Sequence, residues 1–538
     1  MVINMKARVF GMLLVGFFAS CHGVSGQPDG MPAFRYHYLG ATQLSADTNA
    51  NKLRIIWNLA ATRDLRDQTV RKLSGLPRFL YAARFGGASD NTELMRPLLD
   101  DLIEAESCGE YNLDAQQQWS WVLAVRLTQA RSGVWGSNLK ESLQAWDFGG
   151  IASIQVEGQN GWEIQQRDGP TVFRYARVGS WSLMGMGTDG LAKLTGMARE
   201  IAASGRPKGC ENEGWLAGYA DLAKLALKWP LADYVPFLAA NAAPSISFQM
   251  TILADNVRTK AVVHYPEAPS WILENWRIPT ETIRDPLIAF TAMQSIAPWV
   301  GRQAWVKQYQ IQPVPNQAFF WAFPQVPFQT CGAVPMPQAD KVMDRLAAQL
   351  IPSISTNLVK QHLGDLRYLT NALYWVDLSI IGPSLRSVSE LNGEFLAGSL
   401  FPVFAYTNPA PAELFGQVYG RTNLVYYDWE ITQDRVVQSR VIGQLFDIFK
   451  PAVEAPPEPQ KTNNFGNAWI TAVAPQLGNT VTEAVVTSPK EISITRKSHV
   501  GLNSLEIVLL TRWLDSPDFP WPGARPAAAA KSSSKATQ

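Results

Sequence analysis

Asp428 and Glu430 stand two apart in the run Leu424-Val425-Tyr426-Tyr427-Asp428-Trp429-Glu430. On a strand, alternate residues share a face, so both carboxylates point to one side beside Tyr426, with backbones about 6.5–7 Å apart. Two carboxylates against an aromatic wall are the acid/base equipment of glycosidic-bond hydrolysis. The same spacing also describes the solvated face of an amphipathic strand whose other face buries Val425, Tyr427 and Trp429. Asp428 and Glu430 are the catalytic candidates of this chain, and no cofactor or metal is expected beside them.

Other short motifs fail for want of context. Gly185-Met186-Gly187-Thr188-Asp189-Gly190 fits GxGxxG between a strand and a helix, but the strand ends a meander and the segment after the helix, Gly205 to Gly214, is polar. A dinucleotide fold needs a buried parallel strand there. Glycines turning a strand tightly into a helix explain the run without a ligand. Ser137-Asn138-Leu139-Lys140 and Ser89-Asp90-Asn91 fit two signatures of penicillin-binding enzymes, in the wrong chain order, and Lys461-Thr462-Asn463 ends in Asn where Gly is required. His37, His264, His362 and His499 are far apart, and HExxH, GxSxG and GxxxxGK[ST] are absent.

Lys6 and Arg8 precede the apolar run Val9 to Ala19, followed by small residues. This is the layout of an export signal over residues 1–26. Phe18-Ala19-Ser20-Cys21 is lipobox-like, with Cys21 as the acylated residue, although Phe18 departs from the usual Leu. The alternative is cleavage after Val24-Ser25-Gly26. The expected location is a lipoprotein of the outer or cytoplasmic membrane facing the periplasm or surface, or else a periplasmic or secreted protein. No later apolar run reaches 18 residues without a charge, so a lipid on Cys21 is the expected membrane contact. Cys108, Cys210 and Cys331 are an odd set, read as buried small hydrophobes, with any pairing among them left open.

The elements that must position these residues alternate between helical and strand periods. Leu65, Thr69 and Leu73 recur at helix spacing, and a second helix runs through Leu98 to Ile103 with Pro97 in its first turn. Trp119, Trp121, Leu123, Val125 and Leu127 then alternate with Ser120, Val122, Ala124 and Arg126 as a half-buried strand. Runs at 151–157, 161–167, 171–178 and 181–186 follow with tight turns, as in an antiparallel meander. A hairpin turns at Asp255-Asn256. From 271 the pattern partly repeats, with strands at 285–292, 318–323, 371–379, 384–390, 395–404 and 423–430 and a helix over 338–351. A last hairpin turns about Ser488-Pro489. No 20–50 residue period occurs, which argues against a solenoid or propeller.

The expected fold is therefore α+β, with antiparallel sheets of meanders and hairpins flanked by amphipathic helices, multi-domain or one large two-lobed domain. An N-terminal α+β domain covers 33–270 and a second 271–450. A Pro-rich linker or loop spans 451–467, a C-terminal hairpin plus helix packing on the second domain spans 468–522, and a disordered tail spans 524–538.

The 538 residues carry 47 basic and 46 acidic side chains, for a net charge of +1, so no field gathers nucleic acid. Charged residues are 17% of the chain, with 46% hydrophobic residues and 19 Trp. Exposed strand faces rich in Gln, Ser and Thr, such as Gln118, Ser120, Ser245, Ser247, Gln249 and Thr251, account for the low charge. Such faces suit a neutral glycan or a protein partner.

Several phrases, including Trp276-Arg277-Ile278-Pro279, Asp285-Pro286-Leu287-Ile288-Ala289-Phe290-Thr291-Ala292, Asn423 to Glu430 and Trp513-Leu514-Asp515-Ser516-Pro517-Asp518-Phe519-Pro520, resemble a family of large exported bacterial proteins of unknown function. The resemblance covers about 50 to 520. It implies export and an α+β build, and brings no activity with it. The expectation is an envelope-associated or extracellular protein with a non-catalytic binding or structural role, the alternative being an exported hydrolase of polysaccharide or cell-wall material.

Overall fold

The computed structural model describes residues 31–76, 91–114, 118–145, 149–165, 170–208, 210, 214–227, 243–324, 330–355, 359–360, 364–377, 382–401, 406–448, 464–516 and 519–520. The export segment with Cys21, Ser89, Asp90, His362, most of the Pro-rich stretch and the tail lie outside these residues.

Among the described residues twenty strands form one α+β architecture in which every paired strand is antiparallel. Ten lie in the first half of the chain: β1 (Phe34–Tyr38), β2 (Ser107–Leu113), β3 (Trp119–Arg126), β4 (Gly150–Val156), β5 (Gln159–Gln165), β6 (Thr171–Val178), β7 (Trp181–Met186), β8 (Leu216–Asp221), β9 (Ser245–Leu253) and β10 (Asn256–His264). Ten lie in the second: β11 (Ala289–Gln294), β12 (Gln317–Ala322), β13 (Thr330–Pro335), β14 (Asp365–Leu369), β15 (Ala372–Val376), β16 (Ser384–Glu390), β17 (Gly393–Ser399), β18 (Leu424–Ile431), β19 (Asn479–Ser488) and β20 (Glu491–Ser498). The longest helices among the described residues are α1 (Ala60–Ser74), α2 (Thr92–Glu104), α3 (Gln129–Ala145), α4 (Thr188–Ser204), α5 (Ala339–Leu350), α6 (Thr432–Ile448), α7 (Phe465–Val473) and α8 (Ser504–Asp515).

The pairings place the first ten strands in the order β4-β5-β6-β7-β3-β2-β1-β8-β9-β10. The second ten follow the same order, β14-β15-β16-β17-β13-β12-β11-β18-β19-β20. The partial repeat from 271 is thus a duplication of topology. The two halves join where β10 pairs with β20. There Lys260 faces Thr495, Val257 faces Ser498 and Val263 faces Ile492. Exchanging the halves, with Val257 in the place of Ile492 and Val263 in that of Ser498, leaves this register unchanged. The contact has the self-complementary form of a twofold dimer interface, here within one chain.

No break in the sheet falls at 270/271, because hydrogen bonding runs on through β10 and β20. The hairpin within 468–522 pairs through β19 with β18 of the second half and through β20 with β10 of the first.

Local chemistry explains the tight turns. The β9–β10 hairpin has a two-residue loop, Ala254-Asp255, with both φ angles positive (50° and 60°), which matches the twist of the flanking strands. Strands β3, β6 and β7 are covered on both faces. One face carries Val122, Ala124, Ala176 and Leu183 against Leu194 and Ala198 of α4. The other carries Val125, Phe173, Tyr175 and Met184 against Trp135 and Leu143 of α3. Strand β3 is therefore not half-buried as its alternation suggests: Ser120, Val122 and Ala124 are enclosed, and Trp119 is the exposed aromatic. Pro97 lies beyond the first turn of α2, inside the helix, where it removes one backbone donor.

Candidate functional site

Asp428 and Glu430 both project into the interior where α8 covers the sheet. A polar row crosses it there. Directly opposite Asp428 stand Thr291 of β11 and Thr482 of β19, and Thr482 faces Arg496 of β20. Thr291 Oγ1 donates to Asp428 Oδ1 at 2.6 Å, and Arg496 Nε donates to Thr482 Oγ1 at 2.9 Å. Arg496 also grips Glu506 with two bonds, at 2.6 and 3.0 Å. Glu506 belongs to a capping box with Asn503 that starts α8. Glu430 takes the next place, accepting Ser504 N–H at 2.7 Å on Oε1 and Ser504 Oγ–H at 2.6 Å on Oε2. Its carboxylate therefore sits at the N-terminus of α8, where the helix dipole favours negative charge.

Burial dominates the electrostatics. It raises the Asp428 carboxyl above its usual range, against the Thr291 hydrogen bond. Burial and then the neighbouring Asp428 charge push Glu430 up to about 7. Burial lowers the Arg435 guanidinium on α6, while the two carboxylates work the other way. For Arg496, Glu506 outweighs the burial cost and holds the charge in place. Tyr426 is raised well above its usual value by burial and then by Asp428.

The carboxylate face of β18 is enclosed and not solvated as the alternation suggests. Asp428 is 7% and Glu430 5% exposed, and Val425 and Tyr427 on the other face are buried too. The cause is α8, which lies 70 and more residues downstream and whose docking no local pattern reveals.

The duplication gives an internal control. Carrying the registers through the twofold puts Gly218 in the place of Asp428, Ala220 in that of Glu430, Ile246 in that of Thr480, Phe248 in that of Thr482, Ala261 in that of Arg496 and Tyr36 in that of Thr291. Ala220, Ile246, Phe248 and Ala261 are all buried. One half fills these positions with apolar groups and the other with a carboxylate–arginine network, so the architecture itself does not demand the charges. What they do locally is fasten α8 to the sheet.

An open cleft of about 400 Å³ lies elsewhere, between α3 and strands β5 and β6. Trp162 forms one wall, stacked at 5.4 Å on Phe173 and at 5.5 Å on Tyr175, with interplanar angles of 30° and 24°. Ser137, Lys140, Gln129 and Arg177 supply polar lining. The Arg177 Nε is buried without a hydrogen-bond partner. Gly136 opens the floor, because a Cβ there would stand 3.3 Å from Tyr175 Cε1. The Tyr175 hydroxyl is fixed by donating to Ser132 O at 2.7 Å. The spacing that resembled SxxK thus places Ser137 and Lys140 on the cleft side of α3, with Ser137 Oγ donating to Gly133 O and Val134 O at 3.1 Å each. Sequence patterning showed β5 as a strand, but could not show that Trp162 meets α3.

The GxGxxG run is explained by packing. Gly187 takes φ 78° at the start of α4, and a Cβ on Gly190 would lie 2.4 Å from Trp121 O. Asn91 precedes α2 but makes no side-chain cap bond. His37 Nε2 pairs with Glu106 Oε1 at 3.2 Å, and Glu106 also accepts from Arg126 at 3.1 Å. Burial opposes ionisation of Glu106, yet the His37 and Arg126 hydrogen bonds hold its carboxyl below the usual range. Among the described residues no three His, Cys, Asp or Glu side chains gather as a metal site. None of the described helices is long and apolar enough to cross a membrane. No family model, no curated protein and no solved structure matches this chain.

Proposed function

We propose that this is an exported, envelope-associated binding protein without a catalytic role, and that the cleft between α3 and β5–β6 is its ligand face. The observation that carries the reading is Trp162, a partly exposed indole held flat on two aromatic neighbours beside polar side chains. A flat aromatic wall with hydrogen-bonding groups at its rim is complementary to a sugar ring, whose C–H face stacks and whose hydroxyls need polar partners. A neutral glycan of the envelope is the ligand class this favours. The hydrolase alternative draws on Asp428 and Glu430, and their enclosure under α8 with Thr291 and Ser504 as partners favours binding over it.

In this reading the segment before Cys21 directs export, and Cys21, as the mature N-terminus, supplies a lipid anchor. Mass spectrometry of the mature N-terminus tests the anchor: a diacylated Cys21 is expected, and an unmodified start at Gln27 overturns it. For the ligand face, titration of neutral cell-wall oligosaccharides followed by tryptophan fluorescence is the test. Saturable binding that is lost in Trp162→Ala is expected. Binding that survives the substitution, or release of reducing ends by the wild type, overturns the proposal.

A further inference from the structure

Cys108 and Cys210 are more than a hundred residues apart in the chain, yet both are free thiols in one buried apolar cluster, near enough for Cys210 to act on the Cys108 thiol. Cys108 lies on β2, near the middle of the first half, and Cys210 in the segment after α4, where its N–H donates to Pro207 O at 3.3 Å. Both are buried, at 6% and 1% exposure. Cys331 lies on β13 of the other half and joins a different cluster. The twofold counterpart of Cys108 is Phe319, so the apposed thiols belong to the first half alone.

We propose that Cys108 and Cys210 form a disulfide in the exported protein, with Cys331 left as a thiol. The proposal rests on the export reading, because an oxidising compartment is what sustains such a bond. The electrons leave by exchange. One thiolate attacks the disulfide of a dithiol–disulfide oxidant, and the second then displaces the mixed disulfide. The oxidant departs as its dithiol, carrying both electrons and the two protons. The timing follows from burial. In the folded chain the hydrogen bond to Cys210, and then desolvation, raise the Cys108 thiol far above its ordinary value, so the thiolate needed for attack is scarce. Oxidation is therefore favoured before the apolar cluster around the two thiols closes. The bond then ties the segment leading into β8 to the sheet beneath it.

The test is peptide mapping of the full chain recovered from the envelope of an expressing cell, alkylated in denaturant without reductant. The expected result is a cross-linked peptide pair holding Cys108 and Cys210, with Cys331 fully alkylated. Alkylation of all three thiols in a chain that has lost its N-terminal segment overturns the proposal, as does a cross-link to Cys331. If residues 1–26 are still present, the export reading is what has failed. Refolding the denatured, reduced chain in a buffer of oxidised and reduced glutathione then decides the pairing by the same map.

Discussion

Ser504 meets the Glu430 carboxylate twice, through its backbone N–H at 2.7 Å and its hydroxyl at 2.6 Å, so one residue at the start of α8 satisfies both oxygens. The pair links the last helix to β18, and its strength depends on whether Glu430 is ionised.

That dependence sets a pH effect. Burial lifts Glu430 from 4.5 to about 7. An acid that holds its proton more tightly when folded stabilises the fold fully below its unfolded pKa and loses that contribution as the pH rises through the folded value. Stability from this group should fall between about pH 4.5 and about pH 7, by on the order of 3 kcal/mol. Urea unfolding of the wild type and Glu430→Gln at about pH 5 and about pH 8 isolates it. The substitution should help at the higher pH and not at the lower, and parallel curves would refute the assignment.

Arg496→Met should cost about 3–5 kcal/mol, because it leaves Glu506 buried without its partner. Adding Glu506→Gln should recover part of the loss. Denaturant midpoints of both single variants and the double variant give the coupling energy directly. Additive losses would mean that the pair does not act as a unit.

The Tyr175 hydroxyl donates to Ser132 O and Ser182 Oγ at 2.7 and 3.3 Å. Tyr175→Phe should destabilise by about 1–2 kcal/mol while keeping the ring stacked on Trp162. Oligosaccharide affinity should therefore change far less than in Trp162→Ala. A larger loss in Tyr175→Phe, read by the same fluorescence titration, would shift the ligand contact to the hydroxyl.

Gly190→Ala tests the packing account of the glycine run. Its Cβ would collide with Trp121 O, so a loss of at least about 3 kcal/mol in thermal or urea unfolding is expected. A stable variant would show that α4 has room to move away from β3.

Much of the fold was legible where period and punctuation agree. The meander from 150 to 186, helix α5 and the hairpins closing at Asp255 and Pro489 all show an alternation or apolar stripe bounded by turn residues. Strands β1, β2 and β8 were not legible. Phe34-Arg35-Tyr36-His37-Tyr38 and Ser107 to Leu113 are paired on both sides in the middle of their half, and covered strands need no alternation. The duplication was visible only as a vague recurrence, because strand order is conserved while side chains are exchanged, Phe248 for Thr482 and Ala261 for Arg496. The carboxylates were found as a pair, but their role depended on a helix from a distant part of the chain. The role of Trp162 was not legible, because a lone aromatic on a strand carries no signal until α3 lies beside it.

The position of β19 and β20 bears on how the molecule is made. These strands, centred near residue 490, follow every other described strand in the chain, yet they fill the middle of the sheet and not its rim. Until they emerge, β10 and β18 each present a bare line of amide and carbonyl groups. A chain stopped anywhere between 265 and 478 would keep β10 as an open edge, and any copy of itself would offer the same edge in the antiparallel register that β20 normally supplies. Nonsense products of this length should therefore pair or aggregate through β10, and a holding chaperone would find its work at that strand.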